Sequence, residues 1–182
     1  MKHTAVTPRF AATGKYQRGA SLLEGIAYLG IAAIVILGAV SLLTGAFSSA
    51  QSNRAVEEVI AIQTGVKKLY IGQANSYGNV DITANLIAAG VFPATLSRTA
   101  ATVTNSWNGG VTVVGANNTF QIAYANIPQS ECITMVSGAS GWVSINQDAG
   151  NSFNLTPGTP ATPTQAAAVC ANATNTITWT SN

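Results

Sequence analysis

The longest apolar stretch of the chain lies close to its N-terminus. Twenty-nine consecutive residues between Glu24 and Arg54 carry no acidic or basic side chain, and Leu, Ile, Val and Ala dominate residues 20–47. A helix rises about 1.5 Å per residue, so the 28 residues of the range 20–47 would span roughly 42 Å, more than the roughly 30 Å hydrocarbon core of a bilayer. The pattern predicts a transmembrane helix. A secretory signal peptide fits less well, because its apolar region has only about 7 to 15 residues.

An amphipathic stretch follows the apolar one. Its apolar residues Val59, Ile62, Val66, Leu69 and Tyr70 recur at helical spacing, whereas the charged residues of this stretch lie off that stripe. No proline occurs between Arg9 and Phe92. We therefore predict one helix from Ala20 to about Gln73, roughly 80 Å long, whose second half is covered by a globular head.

The remainder of the chain has mainly strand composition. Asp81 as N-cap, with Gly90 and Pro93 as stop signals, predicts one short helix. Four strands are predicted, at Val111–Gly115, Phe120–Ile127, Trp142–Gln147 and Thr176–Ser181. They would form an antiparallel sheet with one face on the long helix, giving an α+β fold. We also predict one to two helical turns capped by Ser130, and an exposed connector over the proline-rich residues 156–165.

The distribution of charge orients the predicted transmembrane helix. The net charge is +2, but Lys2, Arg9, Lys15 and Arg18 all precede Gly19. The rest of the chain has four basic and six acidic residues and therefore a net charge of −2. Because basic flanks stay in the cytoplasm, everything after Phe47 is expected outside it. A nucleic-acid partner is not expected, since phosphate binding needs clustered basic residues.

The two cysteines agree with this orientation. Cys132 and Cys170 both lie in the part expected to face an oxidising compartment, and they are the only cysteines of the chain. We predict that they are bonded to each other. Two unrelated buried thiols are the alternative.

The chain contains few residues of the types that carry out catalysis. The only histidine, His3, lies in residues 1–19, which look like a cytoplasmic leader, so no Ser/His or Cys/His pair is available beyond Gly19. The cysteines are too far apart for a zinc or redox motif, and Asp81, Glu131 and Asp148 are isolated acids. We predict no enzymatic activity, no metal and no cofactor.

The junction between leader and apolar stretch carries the most specific motif. Basic residues precede Gly19, Ala20 follows it, and "SLLEGI" then places Glu24 fifth after the glycine. This pattern resembles the prepilin signature of type IV pilins. The resemblance implies that a prepilin peptidase cleaves between Gly19 and Ala20 and methylates the new N-terminus at Ala20. It also implies that Glu24 acts in filament assembly.

Physical reasoning supports a functional role for Glu24. A carboxylate in a membrane segment costs a few kcal/mol unless it has a partner, so such acids usually mark function. Cleavage would create a positive amine at Ala20, which on one chain can neutralise Glu24 on a neighbour. An unpaired interfacial acid is the alternative. Gly25, Gly30, Gly38 and Gly45 would allow close helix packing or local unwinding, or reflect ordinary membrane-helix composition.

The chain resembles the type IVb subclass of these pilins in three features. Its leader has nineteen residues, its first residue after the leader is Ala20 in place of phenylalanine, and it contains the stretches "LIAAGVFP", "SWNGGVTV" and "IPQSEC". Members of the subclass include major pilins of toxin-coregulated-pilus-like and conjugative thin-pilus systems. The resemblance implies a pilin fold, with the long helix packed on an antiparallel sheet and a D-region closed by Cys132 and Cys170. Residues 1–19 would be the leader, 20–53 the transmembrane and filament-core half of the helix, and 54–182 the extracytoplasmic head.

The function implied is that of a major pilin, a structural subunit that polymerises into a type IV pilus for attachment, cell contact or conjugative mating. Its partners would be copies of itself, the prepilin peptidase, the inner-membrane assembly platform, and minor pilins or a tip adhesin. It would lie in the inner membrane of a Gram-negative bacterium before assembly and in the extracellular pilus afterwards. The alternatives are a type II secretion pseudopilin, a minor or tip pilin, and an anchored adhesin that does not polymerise.

Overall fold

The computed structural model describes residues 21–73, 76–147, 150–156 and 159–182. The chain forms two compact units, one up to Leu42 and one from Leu43 to Asn182. Gly19, Ala20 and the rest of the leader lie outside the described residues, and so does Asp148.

A single helix, α1 (Leu22–Leu69), contains both the apolar and the amphipathic stretch. The prediction of one uninterrupted helix is confirmed, although α1 ends four residues before the expected Gln73. Residues 70–72 form a turn there, and Gly72 has a φ of 86°, a conformation that glycine adopts without steric cost. Among the described residues, α1 is the one helix long and apolar enough to cross a membrane.

Seven strands form one antiparallel sheet in the second unit. They are β1 (Ser97–Arg98), β2 (Val103–Thr104), β3 (Gly110–Ala116), β4 (Thr119–Pro128), β5 (Ser144–Gln147), β6 (Ser152–Asn154) and β7 (Thr174–Ser181). Their order across the sheet is β1-β2-β3-β4-β7-β5-β6. The four predicted strands correspond to β3, β4, β5 and β7. The predicted third strand began two residues too early, since β5 starts at Ser144 and the side chain of Trp142 is buried before it.

Three shorter helices complete this unit: α2 (Thr83–Ala88), α3 (Gln129–Gly138) and α4 (Pro163–Val169). Asp81 was predicted as the N-cap of α2, but the N-cap residue is Ile82, whose side chain makes no cap hydrogen bond. The Asp81 carboxylate lies one residue earlier and accepts a hydrogen bond from the Thr83 N–H at 2.8 Å.

Two further expectations about these helices were wrong. α3 is longer than predicted and is not capped by Ser130, whose hydroxyl donates instead to the carboxylate of Glu131 at 2.6 Å. The expected connector over residues 156–165 contains the start of α4. Thr162 and Gln165 form a reciprocal capping box there, with Pro163 in the first turn. Ala161 is buried, so this segment is not wholly exposed.

The core of the second unit joins one stripe of α1 to the inner face of the sheet. The stripe consists of Ala55, Val59, Ile62 and Val66, three of which are completely buried. It belongs to the same apolar cluster as the inward-facing side chains of the four longest strands, Val111, Val113, Phe120, Ile122, Tyr124, Ile145, Ile177 and Trp179. Alternation along β4 and β7 therefore places one face of the sheet in the core.

The disulfide between Cys132 and Cys170 is present, as predicted. It joins α3 to the end of α4, with a Cα–Cα distance of 5.8 Å, and both cysteines are fully buried. The bond therefore closes the segment that contains β5, β6 and α4.

Candidate functional site

Glu24 lies in the first turn of α1, and two neighbouring side chains contact it. The Glu24 N–H donates to the Ser21 hydroxyl at 3.3 Å, and the Tyr28 hydroxyl donates to Glu24 Oε1 at 3.4 Å. Glu24 is exposed within its own chain. The Tyr28 hydroxyl, one helical turn away, thus orients the carboxylate, which stays exposed to a further partner.

Large apolar side chains surround Glu24 and continue to Phe47. They are exposed on all sides of the helix, from Leu22 at 85% through Leu29 at 72% and Leu37 at 70% to Phe47 at 61%. Contiguous apolar surface of this extent marks a protein or membrane contact. This half of α1 is therefore built to be covered by lipid or by other helices.

The four glycines of this half serve no packing need inside the chain. A Cβ added at Gly25, Gly30, Gly38 or Gly45 would meet no atom within 4 Å. These positions leave room for the backbone of another helix.

In the second unit, two serines hold the buried carboxylate of Glu131. Ser48 of α1 donates to Glu131 Oε1, and Ser130 donates to Oε2. Burial alone would raise the pKa of Glu131, but the hydrogen bonds from Ser130, Ser48 and its own backbone N–H outweigh burial and lower the pKa. The ionised carboxylate therefore ties α3, next to the disulfide, to α1.

A second polar contact fixes α1 to the end of the chain. The Gln63 side-chain nitrogen donates to the carbonyl of Gly141 and to the hydroxyl of Ser181, both at 3.0 Å. Because Gln63 is buried, these two hydrogen bonds satisfy the two N–H donors of its side-chain amide, and the bond to Ser181 ties α1 to β7.

Glu58 is the second buried acid among the described residues of this unit. It is 3% exposed, and its Oε1 atom has no hydrogen-bond partner. Burial raises the pKa of Glu58, while a hydrogen bond from Thr95 and the charge of Arg54 partly offset that effect. The buried phenol of Tyr124 also feels the charge of Glu58, and burial with this charge raises its pKa well above the ordinary value.

None of these groups forms a constellation suited to catalysis. Among the described residues, no three His, Cys, Asp or Glu side chains lie close enough to hold a metal ion. The geometry around Glu24, an oriented acid in an exposed apolar helix, is instead suited to association with other helices.

Comparison with known proteins identifies the class of protein. The PilS N-terminal family matches residues 49–182, which is most of the chain. The chain belongs to the PilS family of type IV pilins. This assignment confirms the pilin prediction, and since pilins are structural subunits, it also confirms that the chain is not an enzyme.

Two curated relatives narrow the assignment. The pilin is similar to the major structural subunit of bundle-forming pilus from Escherichia coli O111:H-, at 30% identity, and to the protein of that name from E. coli O127:H6 (strain E2348/69 / EPEC), at 27%. Each alignment covers 91% of this chain and 94% of the relative. The predicted type IVb subclass is confirmed, and a major pilin is favoured over a pseudopilin or an anchored adhesin.

A solved structure supports the fold. TcpA, a type IV pilin from Vibrio cholerae El Tor biotype, superposes with a TM-score of 0.52 and 15% identity, covering 72% of this pilin and 99% of that chain. The predicted pilin fold, with its long helix, antiparallel sheet and disulfide-closed D-region, is confirmed.

Sequence reasoning missed the residues that contact the carboxylates of Glu24 and Glu131. Tyr28 follows Glu24 by four positions, a helical spacing that places side chains on one face and could have revealed the contact. The contact between Ser48 and Glu131 spans 83 positions, and no local pattern indicates it.

Proposed function

We propose that this pilin is the major subunit of a type IV pilus and is made as a precursor that a prepilin peptidase cleaves between Gly19 and Ala20. The leader carries four basic residues and would anchor the precursor at the cytoplasmic face of the inner membrane. Residues 54–182 then form the head outside that membrane. The assembly platform and any minor or tip pilins complete the set of partners in a Gram-negative cell.

The exposed apolar half of α1 is the observation that carries this proposal. No residue of its most apolar 18-residue window is buried within the chain. In the membrane, lipid covers these side chains. In the filament, the same half of α1 from other copies replaces the lipid, so the bulk of the association comes from apolar packing.

Glu24 sets the register of this packing. Ala20 precedes it by four residues in the sequence, and four residues of a regular helix rise about 6 Å. A neighbour displaced by about that distance brings its free amine level with the carboxylate. The Tyr28 hydroxyl holds the carboxylate in place before the amine arrives. The amine and the carboxylate lie at different positions on each chain, so the contact between two chains is heterologous. Repeating this contact extends a fibre rather than closing a dimer.

Replacement of the acid tests this mechanism. In a pilus-forming host, Glu24→Ala is expected to insert into the membrane and to lose its leader like wild type, but to give at least tenfold fewer sheared fibres. Tyr28→Phe is the matched control, because it removes only the orienting hydrogen bond and should retain most fibres. Wild-type piliation by Glu24→Ala would refute the assembly role.

The cleavage site has its own test. A bulky residue in Gly19→Leu should block the peptidase, so full-length precursor should accumulate on a gel, whereas Gly19→Ala should be partly processed. Complete processing of Gly19→Leu would contradict the assignment of the site.

A further inference from the structure

The loop between β2 and β3 contains a chemically labile pair of residues. Asn108 is followed by Gly109, and no other asparagine of the sequence precedes a glycine. An asparagine loses its side-chain amide most readily before glycine, because glycine has no Cβ to shield its backbone nitrogen from the asparagine Cγ. Asn108 is also exposed. The head therefore carries, at its surface, a sequence that is prone to deamidation.

The backbone of the loop explains why these two residues stand there. Asn108 has a φ of 57°, in the left-handed region that asparagine adopts more readily than most residues with a side chain. A Cβ added at Gly109 would overlap the carbonyl oxygen of Ala125 on β4. The loop thus favours asparagine at the first position and requires glycine at the second, and the labile pair is a consequence of its geometry.

Deamidation at this pair would use the backbone nitrogen of Gly109 as the nucleophile. That nitrogen bonds to Asn108 Cγ, the bond from Cγ to Nδ2 breaks, and ammonia leaves with the proton that the Gly109 nitrogen gives up. Water from the medium then opens the succinimide ring at either carbonyl and leaves aspartate or isoaspartate. The rate therefore depends on whether the Gly109 nitrogen can lose its proton and move onto Cγ.

The side chain of Asn105 restrains this nitrogen. The Gly109 N–H donates to Asn105 Oδ1 at 2.8 Å, and the Asn105 N–H donates to the Gly109 carbonyl at 2.9 Å. Asn105 is only 6% exposed, and its Nδ2 donates to the carbonyl of Ala125 at 2.8 Å. Gly109 is buried as well. The proton of the nucleophile is therefore engaged, and its peptide unit is fixed to a residue that is itself anchored on β4.

We propose that Asn108 is a latent deamidation site, which Asn105 keeps unmodified as long as the loop is closed. Opening of the loop breaks the bonds between Asn105 and Gly109, and the reaction then proceeds as in an unfolded chain. Because the product is a carboxylate and the step releases ammonia, a head that has opened keeps a permanent negative charge at this position. The inference concerns the folded head and does not depend on polymerisation.

The wild-type chain provides the first test. Full-length pilin is incubated at neutral pH, folded in detergent or unfolded in guanidinium chloride, and peptides are then mapped by mass spectrometry that resolves asparagine, aspartate and isoaspartate. Deamidation at Asn108 should be slower in the folded chain by at least about a hundredfold, since it requires an opening of the loop. Equal rates in the folded and the unfolded chain would overturn the proposal.

Substitution of Asn105 tests the residue that protects the site. Asn105→Ala removes the acceptor of the Gly109 N–H and should accelerate deamidation at Asn108 by about tenfold or more, the factor expected for the loss of one hydrogen bond. Ser106→Ala is the matched control, because Ser106 is adjacent but exposed, and it should leave the rate unchanged.

An internal reference separates opening of the loop from unfolding of the head. Asn151 is exposed and precedes Ser152 on β6, so its deamidation reports a change in the head as a whole. In Asn105→Ala, deamidation at Asn151 should stay at the wild-type rate while that at Asn108 rises. Wild-type rates at both positions would refute the role of Asn105. If both rates rise because the variant does not fold, the comparison of folded and unfolded wild type decides.

Discussion

Removal of the disulfide between Cys132 and Cys170 should lower the stability of the head by an amount that its loop length predicts. The two cysteines are 38 positions apart. Closing a loop of that length removes chain entropy from the unfolded state worth about 4 kcal/mol at 25 °C. The unit that contains it has roughly 140 residues, with an unfolding entropy near 0.3 kcal/mol per kelvin, so the melting temperature should fall by about 13 °C.

The assay is thermal unfolding of the full-length pilin in detergent, followed by circular dichroism. Wild-type protein is compared with and without reductant, and with Cys132→Ala/Cys170→Ala. The reduced wild type retains both sulfur atoms, so its decrease in melting temperature measures the effect of loop closure alone. The double variant also loses packing of two fully buried side chains and should melt lower still. A decrease below about 3 °C in the reduced wild type would refute the reasoning and would mean that the unfolded D-region keeps its ends close without the bond.

Three further substitutions test the packing and the buried acids of the head. Gly65→Ala should destabilise it by about 1 to 3 kcal/mol in urea unfolding, because the new Cβ would lie 2.5 Å from Val91 Cγ1; Val91→Ala should restore stability, and no recovery would contradict the clash. Ser48→Ala should cost about 1.5 to 3 kcal/mol at pH 7, since it removes a hydrogen bond to the ionised Glu131; an unchanged urea midpoint would show that the bond contributes nothing. Glu58→Gln should stabilise the detergent-solubilised monomer at pH 7. Burial raises the pKa of Glu58, so the stability of the wild-type head declines as the pH rises from 4.5 through that raised pKa. If the dependence of stability on pH were the same in wild type and variant, the assigned burial of Glu58 would be contradicted.

The sequence predicted those elements whose signal is local. The proline-free run and the spacing of Val59, Ile62 and Val66 predicted α1. The β-branched and aromatic alternation of β4 and β7 predicted the centre of the sheet. Periodicity is reliable there because the elements are long and one face of each is buried.

The missed elements are short or stabilised by tertiary contacts. β1 has two residues and β6 three, too few for a periodic pattern, and both are edge strands that exist through pairing with a neighbour. α4 was hidden by the prolines around it. Its capping signals, Thr162 and Gln165 around Pro163, were present in the sequence but were interpreted as part of a connector.

The residues of the candidate site also differ in whether the sequence could predict them. The motif from Gly19 to Glu24 could be recognised because its residues are adjacent in the sequence. Glu58 appeared to be one of several charged residues off the apolar stripe, and its burial depends on the segment that contains Thr95 and on β4, which pack against it only in the folded head. A single sequence does not indicate which charged side chain of a helix the rest of the chain will cover.

The most direct test of the account is N-terminal sequencing and intact-mass measurement of subunits from purified, sheared surface fibres. The account predicts one dominant chain that begins at Ala20, carries one added methyl group on its amine and retains the disulfide. Fibres built from chains that still begin at Met1, or a protein that stays in the membrane without forming fibres, would contradict it.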